Sequence, residues 1–255
     1  SGRSESKMVF SFDRNSANGN LRNINRAVVV EIALYIGAYI VYLVSRDLIH
    51  EDTRAVGLVN AGRIVSLQKE LGFLWEPSWQ SWALENTGAL VVTMNWVYII
   101  TYWPVIFLAA FILFIKNRRD YIFYRTVVFV NLAAAILTFM IFPVAPPFAI
   151  PSIELVDAIQ EFGPTFYGSE DMATYYNVSA AMPSLHFSWT VILGVLFWRS
   201  FPSPYRMIGL LYPLLTFLAI TLTGNHFILD AAAGGALAIL SFAVVLMGRR
   251  RFVTS

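Results

Sequence analysis

Two histidines and one aspartate have the types and the setting for phosphoryl chemistry. His186 closes the stretch Met182-Pro183-Ser184-Leu185-His186. His226 opens the stretch His226-Phe227-Ile228-Leu229-Asp230, and each lies at the edge of a long apolar run. Titratable groups beside such runs are costly to bury, so their placement is a functional hypothesis by default. A neutral imidazole can attack phosphorus and carry the phosphoryl group as phosphohistidine. A hydrogen bond from its other ring nitrogen to a carboxylate fixes the tautomer and stabilises the positive ring. His226 and Asp230 are four apart; on a helix they share one face, one turn apart, and suit that role. His186 can protonate the leaving oxygen and then deprotonate the acceptor. Pro183-Ser184 reads as a helix start, whose backbone N–H groups, with the Ser184 hydroxyl, can hold phosphate oxygens. Taken singly, each histidine could be an interfacial structural residue. The pair, with its carboxylate, argues for catalysis.

The elements that must position these groups follow from composition and hydropathy. The 255-residue chain is 57% hydrophobic, 15% aromatic and 13% charged, where a soluble domain carries about 25% charged residues. This predicts an all-α polytopic membrane protein: a six-transmembrane-helix bundle with an interfacial amphipathic helix. The sequence has no cysteine, which excludes disulfides and thiolate metal sites. No metal and no cofactor is expected. No soluble segment interleaves basic and aromatic residues, so nucleic acid is not an expected partner.

Six spans are expected: Ala27–Val44, Gly88–Ile115, Tyr121–Phe142, Ser184–Trp198, Tyr205–Thr223 and Phe227–Met247. The second is long and should tilt or break near Pro104. Lys116 to Asp120 reads as a short basic turn. The fourth is short, about 22 Å at 1.5 Å per residue, so its start should lie inside the bundle below the membrane surface. Arg54–Leu71 reads as the amphipathic helix, and Trp75, Trp79 and Trp82 as interfacial anchors. Gly234-Gly235 should permit close helix packing, and Asn95 and Asn131 should bond between helices. Glu31 should reach the interface, and His50 reads as structural. Residues 143–183 form a long loop of lid or binding-surface type. Its acids, Glu154, Asp157, Glu161, Glu170 and Asp171, lack calcium-loop spacing. The expected division is a cytoplasmic segment 1–26, which shows no signal-peptide pattern, a membrane catalytic domain 27–248, and a basic cytoplasmic tail 249–255.

The basic residues set orientation. With the N-terminus inside, inner segments hold Arg3, Lys7, Arg14, Arg22, Arg26, Lys116, Arg118, Arg119, Arg125, Arg199, Arg206 and Arg249 to Arg251. Outer segments hold only Arg46, Arg54, Arg63 and Lys69. A multi-pass cell-membrane protein with both termini cytoplasmic follows, and its motifs gather on the outer side.

Pro183-Ser184-Leu185-His186 and His226-Phe227-Ile228-Leu229-Asp230 resemble the second and third signatures of the type 2 phosphatidic acid phosphatase superfamily. Leu185 in place of the signature glycine, and Phe142-Pro143-Val144-Ala145-Pro146-Pro147-Phe148, resemble the branch of inositol phosphorylceramide and sphingomyelin synthases. Arg118-Arg119 with Tyr124-Arg125-Thr126 is similar to that branch's basic stretch. The similarity runs from about residue 60 to 240. It implies a six-helix core and metal-independent transfer through phosphohistidine. Its substrates would be a lipid phosphoester and an alcohol or water acceptor. His226 would be the nucleophile, Asp230 its partner and His186 the acid/base. The phosphatase form places a Ser-Arg pair where this chain has Ala219 and Ile220. Other groups must then offset phosphate charge, and the candidates are Asn225, Tyr175, Tyr176, Arg63 and Lys69. Glu76 and Gln80, four apart, are further candidates facing the site. The scarcity of outer cations favours a phosphodiester over a monoester. The leading expectation is a transferase moving a headgroup phosphate, inositol phosphate among the possibilities, at the outer leaflet. A lipid phosphate phosphatase using the same residues is the first alternative, and a non-catalytic lipid-binding or transport protein the second.

Overall fold

The computed structural model describes residues 14–49, 53–163 and 179–253, with side chains for 26–45, 53–163 and 179–250. It is all-α, with no strand among the described residues. The helices are α1 (Arg14–Ile49), α2 (Arg54–Glu70), α3 (Glu76–Ile100), α4 (Trp103–Lys116) and α5 (Arg118–Ile141), then α6 (Ala158–Phe162), α7 (Leu185–Ser200), α8 (Ile208–Leu222) and α9 (Ile228–Val253). Two compact units result, Ser1–Val44 and Ser45–Ser255. Most of α1 belongs to the first. The remaining helices form the second, which holds both histidine motifs.

Among the described residues, five segments are long and apolar enough to cross a membrane: Arg26–Ser45, Glu76–Lys116, Arg118–Ile141, Tyr205–Leu222 and Ile228–Arg250. The chain is a multi-pass membrane protein. The helix of the fourth expected span, α7, has 16 residues. At 1.5 Å per residue that covers about 24 Å, against a hydrocarbon core of about 30 Å. The second expected span is two helices. It begins earlier than expected, at Glu76, and breaks at Thr101-Tyr102, with Pro104 in the first turn of α4. Pro lacks an N–H and is tolerated where a helix has no bond to lose. Lys116 to Asp120 is not a turn: Arg118 already opens α5, with the Asn117 side chain accepting the Asp120 N–H at 3.1 Å.

Buried polar groups and close backbones tie the core helices together. The Asn131 amide donates to Ser188 Oγ (2.7 Å) and Ser241 Oγ (3.2 Å) and accepts from Trp189 Nε1 (3.1 Å). One side chain thus joins α5, α7 and α9. Asn95 donates to the Ala158 carbonyl at 2.6 Å, pinning α6 to α3. A Cβ on Gly234 would lie 2.4 Å from the Ser184 carbonyl oxygen, and one on Gly194 would lie 2.4 Å from that of Gly209. Only glycine permits these approaches. Gly234→Ala is expected to destabilise the protein by about 1–3 kcal/mol, because the obstacle is backbone that must move. Thermal unfolding in detergent reads this, and an unchanged melting temperature would mean α7 and α9 part at no cost.

α7 and α9 start side by side, with the Ser184 N–H donating to the Asp230 carbonyl at 3.0 Å. Their far ends are basic and aromatic. The Arg249 guanidinium lies 4.5 Å over Phe123 of α5, and that of Arg118 lies 4.1 Å over Phe114. Arg118 and Arg125 also flank Tyr121. The basic stretch therefore belongs to the end of the unit opposite the two motifs.

Candidate active site

The site is built on the turn between α8 and α9. Gly224 ends α8 with φ +76°, a conformation that disfavours side chains. A Cβ there would also meet the Val156 carbonyl at 2.7 Å. The chain then passes through Asn225 and His226 to Phe227, which is fully buried against Ala61, Ile64 and Val65 of α2 and Val144 of the long loop.

α9 begins at Ile228, so His226 stands outside the helix and does not share a helical face with Asp230. The reason is local: Phe227 is the N-cap, and Asp230 reaches back to accept its N–H at 2.8 Å, one half of a capping box. The two side chains still meet. His226 Nδ1 lies 3.5 Å from Asp230 Oδ2. A nearer partner is the Ala181 carbonyl, 2.9 Å from the same nitrogen. A carbonyl only accepts, so Nδ1 carries the proton and Nε2 keeps its lone pair. Asp230 is completely buried and sets its carboxyl beside the ring, while the shorter hydrogen bond goes to Ala181.

Ala181 is itself held. Its N–H donates to the Val144 carbonyl at 3.0 Å, and the Val144 N–H donates to Ser179 at 2.9 Å, an isolated parallel bridge. The Ala145 N–H reaches the Gly57 carbonyl of α2 at 3.1 Å. The proline-rich segment after α5 thus aligns the carbonyl that orients His226.

His186 sits in the first turn of α7, its ring centre 6.0 Å from that of His226. It is sandwiched between Tyr98, at 4.3 Å, and Tyr102, at 4.2 Å. Such stacking fixes the ring plane and presents the negative faces of both phenols to it. Ser184 is the N-cap of α7; its hydroxyl accepts the Phe187 N–H at 3.3 Å, and the residue is fully buried. Its acceptor side is therefore committed to the helix. Asn225, half-buried, donates to Thr223 Oγ1 at 2.9 Å.

The remaining candidates fall elsewhere. Glu76 and Gln80 are buried, at 0% and 1% exposure, and bond to the protein framework rather than facing open space. Glu76 Oε1 accepts the Ile228 N–H (2.7 Å) and Gln68 Nε2 (2.8 Å). Gln80 Nε2 donates to the carbonyls of Leu222 (3.0 Å) and Val156 (2.9 Å), while its Oε1 accepts the Val156 N–H (2.8 Å). Arg63 is exposed and donates to Asn60 at 3.1 Å, and Lys69 is exposed in the last turn of α2. No described contact ties either to the imidazoles. Tyr175, Tyr176, Glu170, Asp171 and His50 lie outside the described residues. Asp157 caps α6 through the N–H groups of Ile159 and Gln160, both at 3.1 Å. Burial lifts its carboxyl above the usual range against the pull of those donors. Among the described residues, no three His, Asp or Glu side chains gather as a metal site.

The sequence reading missed Tyr98, Tyr102 and the Ala181 carbonyl. The tyrosines left a usable signal: they are four apart in an apolar run, on either side of the break before Pro104. A backbone carbonyl leaves none.

A family model described as PAP2 superfamily matches residues 62–244, and the chain belongs to that superfamily. Both histidine motifs lie within the match. Membership supports a phosphatase- or phosphotransferase-type lipid enzyme acting on a membrane lipid phosphoester. No curated protein and no solved structure matches the chain.

Proposed function

We propose that the protein is a lipid phosphotransferase that moves a phosphoryl headgroup through a phosphohistidine at the outer leaflet. His226 Nε2 attacks phosphorus with its lone pair. The bond from phosphorus to the leaving lipid oxygen breaks, and His186 gives that oxygen its proton. In the second half His186 takes the proton of an acceptor hydroxyl, the acceptor oxygen bonds phosphorus, and the P–N electrons return to Nε2. Asp230 and the Ala181 carbonyl hold the Nδ1 proton throughout. Ser184, the start of α7 and Asn225 border the phosphate. The observation that carries this reading is the pairing of two imidazoles at 6.0 Å, one of them fixed with its proton on Nδ1.

Transfer is preferred to hydrolysis on one ground. Ala219 and Ile220, fully buried, occupy the places of the phosphatase Ser-Arg pair and supply no positive charge. A phosphodiester carries one negative charge where a monoester carries up to two, so a diester headgroup, inositol phosphate included, suits such a site. The outer-side placement rests on the basic end lying opposite the motifs and on the tendency of basic segments to stay inside.

The test uses purified protein in lipid, with labelled phosphodiester lipid as donor. Product that forms only when a lipid alcohol or polyol acceptor is added supports the transferase. Water-soluble phosphate released without acceptor makes it a phosphatase. Lipid binding without any turnover refutes both.

A further inference from the structure

We propose that Glu76 and Gln80 are positioning residues that bracket the turn carrying His226. This rests on the reading of His226 as nucleophile and adds the device that holds it. The two side chains are one turn apart on α3, so they project from one face. Gln80 grips the last residue of α8, Leu222, through its carbonyl. Glu76 grips the first residue of α9, Ile228, through its N–H. Between these two grips lie only residues 223–227. Gln80 also bonds both backbone groups of Val156, whose carbonyl packs against Gly224. One helix face therefore sets the span of the turn and keeps His226 aimed between Ala181 and His186.

The chemistry of each grip is specific. Glu76 works as an acceptor, placed at a helix N-terminus where negative charge is favoured. It is itself held by Gln68 from α2. Gln80 needs its amide donors, because both partners of Nε2 are carbonyl oxygens. Among the described residues, the buried Glu76 Oε2 and Asp230 Oδ1 have no hydrogen-bond partner. Two carboxyl groups meet the start of α9, Glu76 accepting the Ile228 N–H and Asp230 that of Phe227.

The test compares Glu76→Gln, Glu76→Ala, Gln80→Glu and Gln80→Ala in the full chain in lipid. Glu76→Gln keeps an acceptor and is expected to stay close to wild type. Glu76→Ala, Gln80→Ala and Gln80→Glu are expected to lower kcat by about 100-fold with KM little changed, the cost of a misplaced reacting group. A Glu76→Gln as inactive as Glu76→Ala, or a raised KM with kcat intact, overturns the proposal. Nitrogen-15 spectra of labelled histidine, assigned with His226→Gln, supply a readout independent of turnover. The Nδ1–H form of His226 should persist in Glu76→Gln and be lost in Gln80→Glu. If it is unchanged in Gln80→Glu, the proposal fails. If it behaves as expected in a wild-type protein inert toward lipid phosphoesters, only the catalytic reading fails. Where the alanine variants do not fold, the isosteric pair carries the test.

Discussion

His226→Ala is expected to abolish phosphoryl transfer, by on the order of 10⁴-fold or more. The loss is large because the substitution removes the atom that bonds phosphorus, not a contact that assists it. The fold should survive. Among the described residues the His226 ring bonds the Ala181 carbonyl and lies beside Asp230, while the turn is held by Phe227 in its apolar socket and by backbone bonds from Gly224 to Thr221 and from His226 to Ile220. Unchanged thermal unfolding should therefore accompany the loss of turnover. Rapid quenching of wild-type protein with labelled donor should trap a phosphoenzyme that is stable in base and labile in acid, and the variant should trap none. Residual activity near wild type would remove His226 from the reaction.

His186→Ala should be the second most damaging change, and its size should depend on the leaving group. A general acid contributes about 10²–10⁴-fold where the departing oxygen needs a proton. A lipid alkoxide needs one; a nitrophenolate leaves without it. The variant should therefore lose the full factor on a natural lipid donor and retain most of its first-step rate on a nitrophenyl phosphodiester. Equal losses on both would make His186 a structural or binding group. The geometry bears on this result. The ring is clasped between Tyr98 and Tyr102, so alanine leaves a gap between two phenols that can close. Melting temperatures for both variants separate that collapse from lost chemistry.

Much of this was legible in the sequence because membrane helices advertise themselves. The apolar runs gave α5, α8 and α9 within a few residues, and the short run after Ser184 gave the short α7. The convergence of His186 and His226 could be read from alternation of spans alone. The i,i+4 spacing of His226 and Asp230 did bring the pair together, but for another reason. The spacing implied one helix face, whereas the fold uses Asp230 to cap α9 and leaves His226 in the turn before it. The same preference for local capping took the acceptor face of Ser184. Glu76 and Gln80 were singled out by their spacing of four as residues facing the site, yet they bond backbone groups far along the chain, Ile228 for Glu76 and Leu222 and Val156 for Gln80, which spacing cannot show. The break at Thr101-Tyr102 was signalled by Pro104; the start of α3 at Glu76 was hidden by the mixed residues that precede the apolar run.

The tautomer of His226 is governed by a peptide oxygen, and no codon specifies a peptide oxygen. Any small residue at position 181 would present the same atom, so scanning side chains one by one would pass over this contact without registering it. What encodes it is the path of the chain from Pro143 to Ala145, about 40 residues from His186 and about 80 from His226 in sequence. A redesign that kept every named side chain but rerouted that short stretch would keep the residues and lose the reagent. Replacing the Ala181–Met182 peptide bond by an ester, which weakens the Ala181 carbonyl as an acceptor, reaches the atom directly.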